Sequence, residues 1–203
     1  MERVSNMNEM VKMVVVLTVL ASVAGGVLAA VNQGTASQIE AQQLQFVKGP
    51  AINKLMEGAA NNPIEDRFKI ADGEVERSFF VGKFDGKANT IAFEEFGKGY
   101  GGDVGVMVAF NVETDKLKGA AVTIHSETPG LGANAKEKPD LVNQFKGLNV
   151  SGSVKVTKDG GEINAISGAT MTSQAVCAAV SKTMQVYEKL KPQLQQEIQK
   201  FGK

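Results

Sequence analysis

The sequence predicts an α+β domain, an antiparallel sheet with packed helices, preceded by one N-terminal transmembrane helix. Three observations predict it. Residues 13–31 form a run of nineteen residues without a formal charge. Between residues 77 and 125 lie four short runs of partly alternating apolar residues, each separated from the next by a turn sequence. From Thr170 to about Lys191, apolar residues recur at three and four residues, the spacing of one helix face.

The N-terminal run comes first. As a helix it would be about 28 Å long, close to the roughly 30 Å of membrane hydrocarbon. Arg3 and Lys12 precede it, and the next cation is Lys48. That asymmetry predicts a cytoplasmic N-terminus and an extracytoplasmic remainder, in a single-pass protein of the cell's inner membrane. Val27-Leu28-Ala29 also resembles a signal-peptidase site, but the apolar run is longer than a usual signal core, which favours a retained anchor. The expected organisation is therefore a cytoplasmic tail at 1–12, a membrane helix at 13–31, a stalk helix and linker at 32–63, and a domain at 64–203.

The stalk, Gln33 to Met56, reads as a polar helix broken near Gly49-Pro50, because a residue before proline disfavours helical geometry. Asn61-Asn62-Pro63 is a turn. The sheet follows, with strands at Arg77–Phe84, Thr90–Phe96, Val104–Phe110 and Leu117–His125. Asp85-Gly86-Lys87, the Gly97–Gly102 loop and Thr114-Asp115-Lys116 make the turns between them. Pro139 to Phe145 reads as a short helix with proline at its start. Val154–Thr157 and Glu162–Ile166 flank Lys158-Asp159-Gly160-Gly161 as a further hairpin. The long helix begins at Thr170, and Pro192 is expected to start or kink a last polar helix. The helices are expected on one side of the sheet.

Composition narrows the chemistry. Lys plus Arg is 22 and Asp plus Glu is 22, so no basic surface for nucleic acid is indicated. The single cysteine, Cys177, rules out an internal disulfide framework, and it lies inside the long helix, where a buried structural thiol is expected. One histidine, His125, is too little for a metal site, and at a strand end it suits an orienting or capping role. Neither metal ligation nor an acid–base or nucleophilic catalytic set is legible. Gly97-Lys98-Gly99-Tyr100-Gly101-Gly102 contains G-x-G-x-x-G, but a strand follows it where a dinucleotide site needs a helix. The loop reads as a hairpin turn.

Two segments carry candidate chemistry. Ser167-Gly168-Ala169-Thr170-Met171-Thr172-Ser173 opens the long helix. A helix start offers unpaired N–H groups and a positive dipole end, so it suits phosphate, though Ser and Thr there also suit plain N-capping. His125-Ser126-Glu127-Thr128-Pro129-Gly130-Leu131-Gly132 is a shaped loop, with φ fixed at Pro129 and free at both glycines.

The order of these elements, Gly99-Tyr100-Gly101-Gly102-Asp103, then the Glu127–Gly132 loop, then Ser167-Gly168-Ala169-Thr170, resembles the FMN-binding domain of the G subunit of Rnf complexes. It is also similar to the related C subunit of the sodium-pumping NADH:quinone oxidoreductase. The resemblance spans roughly Gly97 to Val180. It implies FMN joined through a phosphoester bond to the hydroxyl of Thr170. It further implies phosphate contacts from Ser167, Gly168, Thr172 and Ser173, with Ala169 also in the cofactor site. Glu127, Thr128, Leu131 and Gly132 would line the isoalloxazine, with the glycine loop and Tyr100 close by. Asn164 stands where the family usually has Asp. The implied function is electron transfer within an ion-translocating ferredoxin:NAD oxidoreductase complex, as a subunit with no acid–base site of its own. Its implied partners are the other subunits and a flavin transferase for maturation. Three other readings stay open here: the C-type component of a quinone reductase, a structural subunit with a flavin-type fold and no flavin, and an anchored domain that binds a different phosphate ligand noncovalently.

Overall fold

The computed structural model describes residues 2–73 and 75–202, with side chains from Asn8 onward. It divides into two compact units, 1–43 and 44–203.

The first unit is helical. Helix α1 spans Glu2–Gln42, 41 residues, or about 61 Å at 1.5 Å per residue. It is long and apolar enough to cross a membrane, with a mean hydropathy of 2.5 over its most apolar window. Its large apolar side chains, from Met10 through Val31, are exposed.

A π-helical turn, Gln43–Lys48, leads into the second unit, which continues with helix α2, Gly49–Leu55. The break expected at Gly49-Pro50 is instead a change of helix type. Pro50 falls in the first turn of α2, where no intrahelical N–H is needed. Gly49 sits against the Leu44 carbonyl, which an added Cβ would approach to 2.8 Å.

Five strands follow: β1 (Arg67–Asp72), β2 (Val75–Phe84), β3 (Lys87–Lys98), β4 (Asp103–Asn111) and β5 (Lys116–Val122). They pair antiparallel in chain order, so the sheet is a simple meander. Strand β1 was not expected; only Phe68 and Ile70 alternate in it among charged neighbours. The β2–β3 turn is a two-residue hairpin in which Asp85 and Gly86 both take positive φ, 54° and 73°.

Alternation sorts the strand residues onto two faces. On one face Phe79, Val81, Ile91, Phe93, Val106, Val108 and Phe110 pack against helix α4 (Thr170–Gln199). On the other, Phe80, Ala92, Met107, Ala109 and Ala121 pack against Ala51, Ile52, Leu55 and Met56 of α2 and the residue after it. Helices therefore cover both faces, and the expectation of helices on one side is corrected. An aromatic ladder crosses the first face. Phe68, Phe79, Phe93, Phe110 and Tyr187 lie 5.5, 4.8, 5.6 and 4.8 Å apart in succession, centroid to centroid. These are distances at which ring pairs attract beyond simple burial.

Tyr187 ends that ladder in a polar clasp. Its hydroxyl donates to Asp115 Oδ1 at 2.8 Å, and Lys191 Nζ meets Asp115 Oδ2 at 2.7 Å. The Lys191 ammonium holds the Asp115 carboxyl below its usual range, while burial pushes the Tyr187 hydroxyl up. Tyr187→Phe keeps the ring and loses one bond to a charged acceptor. Denaturant unfolding should show a loss of about 1–2 kcal/mol.

Two further expectations are corrected. The segment Val154–Ile166 is not an antiparallel hairpin. Thr157–Asp159 is a 3-10 turn, and a single parallel bridge joins Val156 to Ile163. Gly160 takes φ 80°, and an added Cβ at Gly161 would overlap the Lys155 carbonyl, so the turn is tightly folded on itself. Likewise Pro139–Phe145 holds only a 3-10 turn, Val142–Phe145, beside the short helix α3 (Asn134–Glu137). Helix α4 runs through Pro192 without a new start, and buried Leu194 and Ile198 hold its far end to the core.

Candidate functional site

Three separate stretches of sequence meet at one end of the sheet. Strand β3 ends in the Gly99–Gly102 turn, closed by a bond from Gly99 N–H to the Gly102 carbonyl at 2.8 Å. After β5 the chain leaves the sheet through Thr123 and Ile124 and enters the Glu127–Gly132 loop. The third stretch is the start of α4.

Between them lies a cavity of about 540 Å³, lined by Tyr100, Glu127, Thr128, Leu131, Gly132, Gly168, Ala169, Thr170, Met171 and Thr172. That volume falls within the usual range of small-molecule sites. Three apolar side chains at its rim are exposed: Tyr100, Leu131 and Met171. Met171 was not among the expected residues. Its signal was an apolar residue in the first turn of a helix, off the core-facing stripe.

The start of α4 is open. Gly168 takes φ 76°, a conformation that turns the chain into the helix at no cost to glycine. Ala169 occupies the cap position, and no side chain caps the helix. Plain N-capping by Ser or Thr is therefore not what this segment does. Among the described residues, the N–H groups of Thr170, Met171 and Thr172 and the hydroxyl of Thr170 have no hydrogen-bond partner, and Thr170 is partly exposed. Such a terminus favours an anion through both its free donors and its dipole.

Two of the expected phosphate contacts lie elsewhere. Ser173 is fully buried. Its hydroxyl donates to the Ala169 carbonyl and accepts from Ile166 N–H, both at 3.0 Å, so it ties the loop to the helix. It lies on the same helical stripe as Val176 and Val180, which turns it to the core. Ser167 is exposed on a neighbouring cavity of about 360 Å³ with Asn164, Asp140 and Gln144. There Gln144 clamps the Asn164 backbone, accepting its N–H at 2.8 Å and donating to its carbonyl at 3.1 Å. The Asn164 side chain is thus spare to the fold. Thr172 lines the main cavity, but its hydroxyl donates to Glu127 Oε2.

Glu127 stands at the junction of all three stretches. It is buried, its Oε1 accepts from Gly101 N–H at 2.8 Å, and its own N–H donates to His125 Nδ1 at 3.3 Å. Burial pushes its carboxyl up. The donors Thr172, Gly101 and Tyr100 outweigh that and hold it below the ordinary glutamate value. Gly99 and Gly132 leave the room it occupies: an added Cβ would come within 2.6 Å of its Oε1 from Gly99, and 2.7 Å of its Cβ from Gly132. Cys177, by contrast, is a packing residue whose thiol burial pushes up to about 12.

An FMN phosphate fits this arrangement. The free hydroxyl of Thr170 and the uncapped N–H groups beside it form one anion-seeking corner, and the apolar rim offers a surface for a planar ring.

Comparison with known proteins agrees with the geometry. Residues 99–185 match the FMN-binding domain family, and residues 1–48 match the RnfG N-terminal region. The chain is similar to the G subunit of the ion-translocating oxidoreductase complex of Methanosarcina acetivorans. Identity is 31% over 178 residues, covering 87% of this chain and 93% of the relative. It is also similar to the G subunit of the complex of the same name from Salmonella typhimurium, with 30% identity over 190 residues, covering 89% and 92%. Among solved structures, it shares its fold with the C subunit of the Na+-translocating NADH-quinone reductase of Parabacteroides distasonis. The TM-score is 0.53 and the identity 24%, over 63% of this chain and 77% of that one. That last likeness speaks for the fold alone. The chain belongs to the family of G subunits of ion-translocating oxidoreductase complexes, and its second unit carries an FMN-binding domain.

Proposed function

We propose that this chain is the membrane-anchored electron-transfer subunit of such a complex, with FMN covalently attached through the hydroxyl of Thr170. The observation that carries this reading is the uncapped start of α4, where a partly exposed, unbonded threonine hydroxyl opens onto the cavity. When bound, FMN supplies one- and two-electron transfer; the protein supplies the attachment, the pocket and the electrostatics.

Each residue has a part. Thr170 would carry the phosphoryl group, and the N–H groups of Thr170, Met171 and Thr172 would face its oxygens. A charge at an exposed helix N-terminus gains only about 0.3–1 kcal/mol. The cavity wall residues include no Lys or Arg. A covalent bond is what holds a flavin at a site with so little charge complementarity. Leu131, Tyr100 and Met171 would cover the ring and exclude water, and Gly132 and Thr128 let the loop backbone lie against it.

Residues 13–31 would anchor the chain in the cytoplasmic membrane, with the N-terminus inside and the flavin domain outside, as the cations before the helix direct. The protein would exchange electrons with other members of a complex that couples ferredoxin–NAD electron flow to ion transport. A flavin transferase would load Thr170. Asn164, in the place of the family's usual Asp, is exposed, and Gln144 holds only its backbone. Its side chain is therefore available to touch the transferase while bearing none of the fold.

The test is simple: purify the chain from native membranes, precipitate it with acid, and redissolve it in denaturant. Flavin absorbance should stay with the polypeptide. A colourless polypeptide with flavin in the supernatant would leave a noncovalent site, and no flavin in either fraction would leave a structural subunit.

A further inference from the structure

Glu127 is a carboxylate sealed into the wall of the cavity without an ion partner. It is 6% exposed. Among the described residues no Lys or Arg pairs with it, whereas Glu94 of β3 pairs with Lys48 at 2.7 Å. Its satisfied bonds come from neutral donors: Gly101 N–H on one oxygen and the Thr172 hydroxyl on the other. The groups bearing on it are the backbone of Gly101 and Tyr100 from the β3–β4 turn, the Thr172 hydroxyl from α4, and the His125 imidazole from its own loop. Three segments are thus packed around a single negative charge, and glycines 99 and 132 are spaced to admit it.

We propose that Glu127 is a positioning residue with a second effect: it locks the three site segments together, and its fixed negative charge lowers the electron affinity of the flavin held beside it. The proposal rests on the flavin reading above. A charge screened by water would matter little. One held in a wall with low effective dielectric acts strongly on any group whose own charge becomes more negative. A ring taking up electrons from a reduced partner carrier becomes such a group, so the carboxylate disfavours uptake and makes the reduced ring the stronger donor.

The experiment compares the FMN-loaded full chain with Glu127→Gln and Glu127→Asp, reading the flavin midpoint potential by spectroelectrochemical titration and the unfolding midpoint in parallel. Glu127→Gln removes the charge and keeps an acceptor of the same reach. Its potential should move upward. Glu127→Asp keeps the charge and shortens the reach. Its potential should stay near the parent's even as the unfolding midpoint falls. An unchanged potential in Glu127→Gln, or equal shifts in both variants, would overturn the proposal and leave a purely structural carboxylate. Should Glu127→Gln not fold, the carboxyl titration followed by NMR in the unloaded Thr170→Ala chain decides. A carboxyl ionised at neutral pH supports the fixed charge, and one still protonated there overturns the proposal. A parent chain without any flavin would sink the functional reading instead, and the NMR titration would still report on the carboxylate.

Discussion

Thr170→Ala is expected to abolish covalent flavin completely while leaving the domain folded and the chain in the membrane. In the proposed linkage the hydroxyl is the attachment atom, so no partial retention is expected. The fold has little stake in it: Thr170 is partly exposed and its hydroxyl makes no hydrogen bond among the described residues. Alanine is also the better helix former, by a few tenths of a kcal/mol. In-gel flavin fluorescence should vanish, and the unfolding free energy should stay within about 0.5 kcal/mol of the parent. Full fluorescence in the variant would move the attachment elsewhere, with Thr172 the next hydroxyl. Thr172 is a poor substitute, because it is buried and its hydroxyl is committed to Glu127.

Gly97→Val should be the most damaging single change in the domain. Gly97 lies in β3, paired with Val104 of β4, where α4 crosses the sheet. An added Cβ there would overlap the backbone carbonyl of Ala175, in the second turn of α4. Neither side can yield cheaply, since one is a central strand and the other a helix packed along its length. Overpacking of side chains costs about 1–3 kcal/mol. A clash between two backbones in regular elements should cost at least about 3 kcal/mol. It would also push away the helix start that carries Thr170. Thermal unfolding by circular dichroism should show a strongly lowered midpoint or no cooperative transition, with flavin loading lost in parallel. A melting curve close to the parent's would mean that β3 and α4 separate more easily than their packing implies.

Much of this was legible because strong patterns carry it. The uncharged run at 13–31, four of the five strands and the stripe of α4 all follow from apolar periodicity. Strand β1 escaped because Phe68 and Ile70 sit among charged residues at a sheet edge. Helix α2 escaped as a core element because Ala51, Ile52, Leu55 and Met56 make too short a stripe to stand out from the polar stretch before it. That omission also hid the second covered face.

The site was legible as three motifs, and the fold brings Tyr100, Glu127, Thr128, Leu131, Gly132, Gly168, Ala169, Thr170 and Thr172 to one cavity. Which hydroxyls face it was harder to read. Ser173 belongs to the core stripe with Val176 and Val180, a spacing present in the sequence but masked by its polar character. Ser167 lines the neighbouring cavity with Asn164 and Gln144, a placement that follows from local geometry rather than composition. The junction at Glu127 depends on contacts between residues 26 and 45 positions apart, beyond any local pattern.

The most direct test of the central claim is intact mass with peptide mapping of the full chain from its native membrane. The predicted result is an added mass equal to FMN less one water, confined to the peptide that contains Thr170. An unmodified Thr170 peptide, from cells that load other flavoproteins of this kind normally, would contradict it.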